Sequence, residues 1–210
     1  QLYLDDEKDY DLLKQTLLKN LKANPANELY SDMLIWLYVQ RKDFENALFQ
    51  TRALDKRYKE EGKRIVQLAD LMLINQSYDV ATKAYNEVVL MGPEKPYYLN
   101  AKFGILRSRN QKIFYSGNYT QADLNALETA YFQFLKEFGI QPFTASSIRE
   151  LAHLQAYYLY KYDSAIINFN TLIDMPRLDN RFKAECKLDL GDIYVLKGDV
   201  WDAMLLYGQV

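Results

Sequence analysis

Histidine and cysteine each occur once in this 210-residue chain, as His153 and Cys186, so chemistry that needs an imidazole or a thiolate has few places to happen. A His–Cys or His–Asp catalytic pair would have to use His153. Its setting, Leu151-Ala152-His153-Leu154, reads as a helix face, and the cysteine stands 33 residues on (186 − 153) in a different expected helix. One histidine and one cysteine cannot supply a zinc site of the usual ligand set. Asp5-Asp6-Glu7 lacks the spaced oxygen ligands of a calcium loop and reads as a solvated flank. Gly104, Gly117 and Gly139 are isolated, and none opens a glycine-rich turn after a strand, so no phosphate cradle is expected. The triplets Asn75-Gln76-Ser77 and Asn118-Tyr119-Thr120 fall at expected turns and read as turn chemistry rather than glycan acceptors. The expectation is no enzyme, no cofactor and no metal.

Tyrosine is the abundant chemical group, with 18 copies. It offers stacking and hydrogen-bonding surface, which suits recognition rather than turnover. Net charge is −2, from 26 basic and 28 acidic residues, so no bulk field favours nucleic acid or an anionic membrane surface. The apolar runs fall far short of the roughly 20 residues that span a bilayer, so direct membrane insertion is not expected. A single cysteine excludes an internal disulfide and leaves the compartment open.

The elements that must position these groups are helical hairpins. From Ile65 to Pro93, Ile65, Leu68, Ala69, Met72 and Leu73 recur at helical spacing, then Tyr78, Ala81, Ala84, Tyr85, Val88 and Val89 do the same, with a polar break at Asn75-Gln76-Ser77 between them. The pattern repeats. RKDFENAL around Ala47 matches NQSYDVAT around Ala81, a step of 34 (81 − 47), and Leu13 and Pro25 take the corresponding slots one period earlier. Forward, the next match is placed at Ala130 with Phe134, a step of 49 (130 − 81); the excess is assigned to 109–123. Tyr162, Ala165 and Phe169 then resume the period, followed by Gly198, Ala203 and Tyr207.

A small residue in the first helix, an aromatic opening the second, then alanine, an aromatic and a closing proline resemble the tetratricopeptide repeat. The resemblance implies an all-α, right-handed α-solenoid of antiparallel hairpins over 1–210. It comprises a partial repeat at 1–26 and repeats at about 27–60, 61–94, 95–143 with the insertion, 144–178 and a truncated 179–210. Ile35 and His153 depart from the small-residue slot, and Thr51 from the aromatic one. The expectation is a fragment of a longer protein, starting at Gln1 and stopping within a second helix, with open repeat ends that could self-associate.

In solenoids of this family the first helices line a concave groove. Carried over slot by slot, that makes Asp32, Trp36, Val66, Asp70, Leu73, Glu150, Leu154, Tyr157 and Asp192 the candidate groove residues, beside Val39, Leu188 and Val195. Such a groove suits a peptide with apolar anchors and some basic character. Lysine and asparagine are missing from the slots that clamp a chaperone's terminal carboxylate, so that ligand is not expected. The expected function is a non-enzymatic scaffold for a protein or peptide partner, with no nucleic acid. Its texture resembles bacterial members found in envelope assembly, which favours the periplasm or cell envelope over the cytoplasm. The rivals are a sensor or regulatory region of a larger signalling protein, and a helical carbohydrate- or small-ligand-binding protein that would need a deep pocket at Trp36, Tyr97, Tyr98 or Tyr157.

Overall fold

Several polar breaks in the sequence end one helix and cap the next. Asn27 accepts a hydrogen bond from the Leu29 amide at 3.0 Å, Asp43 from the Asn46 amide at 3.3 Å, and Asp179 from the Phe182 amide at 3.1 Å. Each satisfies an amide donor that the first helical turn would otherwise leave unpaired. The computed structural model describes residues 7–210, so Asp5 and Asp6 of the acidic flank lie outside the described residues.

Helices joined by turns make up the described residues. The helices are α1 (Glu7–Ala23), α2 (Glu28–Gln40), α3 (Phe44–Tyr58), α4 (Lys63–Ile74), α5 (Tyr78–Val89), α6 (Tyr98–Ser116), α7 (Gln121–Phe138), α8 (Ala145–His153), α9 (Tyr162–Asp174), α10 (Asn180–Lys197) and α11 (Val200–Tyr207). A π turn, Leu154–Tyr158, extends α8. Among them no helix is long and apolar enough to cross a membrane.

The chain divides into two compact units, the first ending at Lys112 and the second beginning at Ile113, within α6. In the first unit α2 packs on α3 and α4 on α5, while α1 covers α2 and α3 covers α4. Its core holds Leu34, Leu37, Ala47, Leu48, Ala69, Met72, Ala81 and Tyr85. In the second, α8 packs on α9 and α10 on α11, α9 packs on α10, and α7 touches α8. Its core is built on Ala152, Ala165, Phe169, Leu172, Cys186, Leu190 and Ile193.

The alanine and aromatic slots are buried where the period places them, at Ala81 and Tyr85 and at Ala165 and Phe169. Exceptions are Tyr207, which is exposed at 39%, and α7. In α7 Leu127, Tyr131 and Phe134 are buried while Ala130 is only half-buried, so the slot occupied by Ala81 falls on Leu127, three residues before the expected anchor. Tyr131 then stands four residues beyond it, as Tyr85 stands beyond Ala81.

Candidate functional site

First helices carry the candidate residues, and an arginine fan organises them in each unit. In the first, the Arg64 guanidinium on α4 donates to Asp32 of α2 at 2.8 Å, to Glu60 at 2.6 Å, and to Glu28 of α2. In the second, Arg149 on α8 donates to Asp189 at 2.6 Å and to Glu185 at 2.7 Å, both on α10. A planar guanidinium with five donors can hold two carboxylates in fixed directions, so each fan ties neighbouring first helices together.

Tyrosine hydroxyls hold the other carboxylates. Tyr85 donates to Asp70 at 2.6 Å, Tyr131 to Glu150 at 2.8 Å, and Tyr207 to Asp192 at 2.6 Å. The Tyr85 phenol is pushed far up by burial and by its bond to Asp70. The Tyr207 phenol, mainly through Asp192, is pushed up to about 12. Both hydroxyls therefore keep their protons at neutral pH and act as donors.

Of the nine candidates, Asp32, Trp36, Asp70, Tyr157 and Asp192 reach solvent. Asp32 and Trp36 lie one turn apart on α2, and Trp36 is 40% exposed. Glu150 is half-buried under the Tyr131 hydroxyl. Val66, Leu73 and Leu154 are buried and belong to the core instead of a groove. The reason is packing: α4 is covered by both α3 and α5, and Leu154 opens the π turn, which rolls it inward. The same turn buries Gln155, which donates to Glu128 at 3.0 Å and accepts from Asn168 at 2.7 Å. Tyr157 and Asp192 are brought close enough that Asp192, after burial itself, raises the Tyr157 phenol.

Sequence reading missed the two arginines and the exposed residues Leu29 and Met33. Its available signal was charge at near-period spacing: Arg64 follows Asp32 by 32 residues, and Arg149 precedes Glu185 by 36.

His153 is partly exposed, with Nε2 3.0 Å from Asp189 Oδ2 and its ring 5.6 Å from those of Tyr157 and Phe169. A His–Asp pair performs acyl transfer only with a nucleophile beside it. Cys186 is fully buried, and burial pushes its thiol up to about 11, so it stays protonated and inert. Among the described residues, no group of three or more His, Cys, Asp or Glu side chains could hold a metal ion.

Burial alone would raise the Asp189 carboxyl, but hydrogen bonds from His153 and Arg149 overcome it and hold the group below its ordinary range. A carboxyl held low in the fold stabilises it fully above the unfolded value of about 3.9, and progressively less as pH falls through the folded value. Asp189→Asn is expected to lower stability by about 1–2 kcal/mol at pH 7. Urea unfolding of both proteins should find the gap closing in acid; a gap unchanged at low pH would contradict the assignment.

The described residues form open clefts in each unit. One, of about 560 Å³ in the first unit, has Ile65 and Met91 in its wall, with basic residues such as Arg52 and Lys95 set beside the acids Asp55, Glu61 and Glu87. Another, of about 310 Å³ in the second unit, lies at Tyr160, Tyr162 and Lys197. Neither is lined by Trp36, Tyr97, Tyr98 or Tyr157, the residues on which a carbohydrate pocket was expected.

Paired antiparallel helices with alanine and aromatic slots at near-constant period define a tetratricopeptide-type helical repeat fold, and solved structures agree. BtubC (BKLC) from P. vanneervenii is 16% identical and superposes with a TM-score of 0.61 over 96% of this chain and 87% of that one. YrrB, described as a TPR protein with an unusual peptide-binding site, is 10% identical, TM-score 0.53, over 92% and 89%. A tetratricopeptide repeat protein from Parabacteroides merdae is 18% identical, TM-score 0.54, over 98% and 73%. No family model matches the sequence, and no curated protein matches it. At these identities the likeness establishes the fold.

Proposed function

We propose that the chain is a non-enzymatic interaction scaffold that binds a peptide or protein partner through the solvent faces of its first helices. The observation that carries this reading is the outer face of α2, where Leu29, Met33 and Trp36 form an exposed apolar stripe at i, i+4 and i+7 beside Asp32. These side chains lie outside the buried core cluster of the unit, and an apolar stripe flanked by carboxylates fits a helix or extended segment with apolar anchors and basic flanks. In the second unit Tyr157, Leu188, Asp192 and Val195 offer exposed groups of the same kinds. Asp32, Asp70 and Asp192 each spend one interaction on Arg64 or a tyrosine, and a carboxylate has acceptor capacity for more. The peptide-binding site ascribed to YrrB supports the general reading.

Residence in a bacterial envelope or periplasm is part of the proposal and rests on sequence texture; fractionation of native cells tests it.

The test of the binding face compares capture of partners from native cells by the unaltered protein and by a Trp36→Ala, Tyr157→Ala variant of equal helicity. Asp70 is left in place because it anchors Tyr85. A partner held by the first and lost by the second is expected. Equal retention by both would move the site off these faces.

A further inference from the structure

The cleft of the first unit holds more positive charge than its own ion pairs neutralise. It lies between the ends of α3 and α5, and four cations line it against three carboxylates. Each carboxylate is already held. Asp55 accepts from the Gly62 amide at 2.9 Å and from the Arg64 amide at 3.2 Å. Both oxygens of Glu87 accept from the Arg52 guanidinium, and Glu61 accepts from the Lys95 ammonium at 2.9 Å. That leaves Lys56 and Lys59, both exposed and neither with an ion-pair partner among the described residues.

Lys56 and Lys59 stand three residues apart, a spacing that brings two side chains to one side of a helix. Lys59 ends α3 in the left-handed conformation, with φ +53°, and Glu61 follows with φ +54°. Such backbone is unfavourable for residues that carry a Cβ, so the turn that brings both side chains to the cleft is held against local preference. Between the charges the wall is apolar, with Ile65 and Met91 joined by the methylene stems of the lysines. Its volume of about 560 Å³ falls within the range of roughly 300–1,000 Å³ found for small-ligand sites.

We infer that this cleft binds a small organic acid, with an alkyl or aryl chain against Met91 and Ile65 and one carboxylate at Lys56 and Lys59. Charge selects the class. Four cations against three carboxylates leave one positive charge, which a single carboxylate neutralises. A phosphate monoester, at about −1.5 to −2, would overshoot it, and a cationic ligand would meet two unpaired ammonium groups. The site belongs to second helices and the turn between hairpins. It does not depend on the partner-binding reading, because Asp32, Trp36 and Tyr157 take no part in it.

Titration of the whole chain with sodium octanoate, followed through its amide NMR signals, tests the inference. Saturable shifts are expected at residues 59–62 and 91–95, with a Kd of about 1 mM or below. Lys56→Gln combined with Lys59→Asn removes both charges while asparagine still accepts left-handed backbone, and this variant should bind octanoate about tenfold more weakly. Octylammonium has the same chain and the opposite charge, so it decides the matter without any substitution should the variant misfold. It should give no saturable shift at these residues. The Trp36→Ala, Tyr157→Ala variant should bind octanoate as the parent does, which separates this site from the partner-binding faces. Absence of saturable shifts up to about 10 mM octanoate would overturn the inference. So would octylammonium binding as well as octanoate, or octanoate binding indifferent to the loss of both lysines.

Discussion

Gly104→Ala is expected to destabilise the first unit by about 2 kcal/mol or more, although alanine is the better helix former by about 1 kcal/mol. A Cβ at Gly104 on α6 would overlap the ring of Tyr85. That ring is fully buried and its hydroxyl is tied to Asp70 at 2.6 Å, so it cannot withdraw without losing either its packing or its hydrogen bond. Overpacking of a close-packed site typically costs about 1–3 kcal/mol, and a ring held at both ends belongs at the upper limit. Denaturant unfolding followed by circular dichroism gives the number. Tyr85→Phe, which frees the far end of the ring, should lessen the penalty when combined with Gly104→Ala. A Gly104→Ala protein as stable as the parent would mean that α6 and α5 do not approach as described.

The second large effect is expected at Asp55, a buried carboxylate near the end of α3. It accepts from the Gly62 amide at 2.9 Å and from the Arg64 amide at 3.2 Å, capping α4 from outside that helix. Gly62, the N-cap residue, has no side chain for the task. Its φ of +95° and the Val88 methyl 2.7 Å from where a Cβ would sit exclude most alternatives. Asp55→Ala leaves these amides without an acceptor at a buried helix start, at a cost of about 2–4 kcal/mol. The loss extends to the candidate site, because the backbone amide of Arg64 is one of those capped and its side chain orients Asp32. A loss below about 0.5 kcal/mol, within the range of ordinary surface substitutions, would contradict the capping role.

The hairpins were legible because each buries a strip at helical spacing, and the strips recur: Ala47, Ala81, Ala165 and Ala203 are all buried. Reading faltered in α7, where Tyr131, Phe132 and Phe134 offer competing aromatic matches; only burial separates the exposed Phe132 from the other two. Gly104 read as an isolated glycine, yet it lies 35 residues after Ala69, in the same small-residue slot, and the Tyr85 ring explains why.

The candidate site was harder to read. A family slot specifies a position on a helix, not how many neighbours cover it, so Val66 and Leu73 on the doubly covered α4 could not be told from exposed groove residues. The π turn at Leu154 adds a residue to one helical turn and moves every later side chain around the axis, a shift that local sequence does not announce. Arg64 and Arg149 escaped notice because the carboxylates they hold on neighbouring first helices, such as Asp32 and Glu185, lie about a repeat away, beyond the reach of pairing rules within one helix.

The central claim is that partners are held by the outer faces of the first helices. It is tested most directly by placing a photo-crosslinking residue, one at a time, at positions 36 and 157, and at positions 49 and 90 for comparison. Phe49 lies on the second helix α3 and Leu90 at the end of α5, both well exposed. Partner crosslinked from 36 or 157 and not from 49 or 90 is the predicted result. Partner crosslinked from 49 or 90 alone would contradict it.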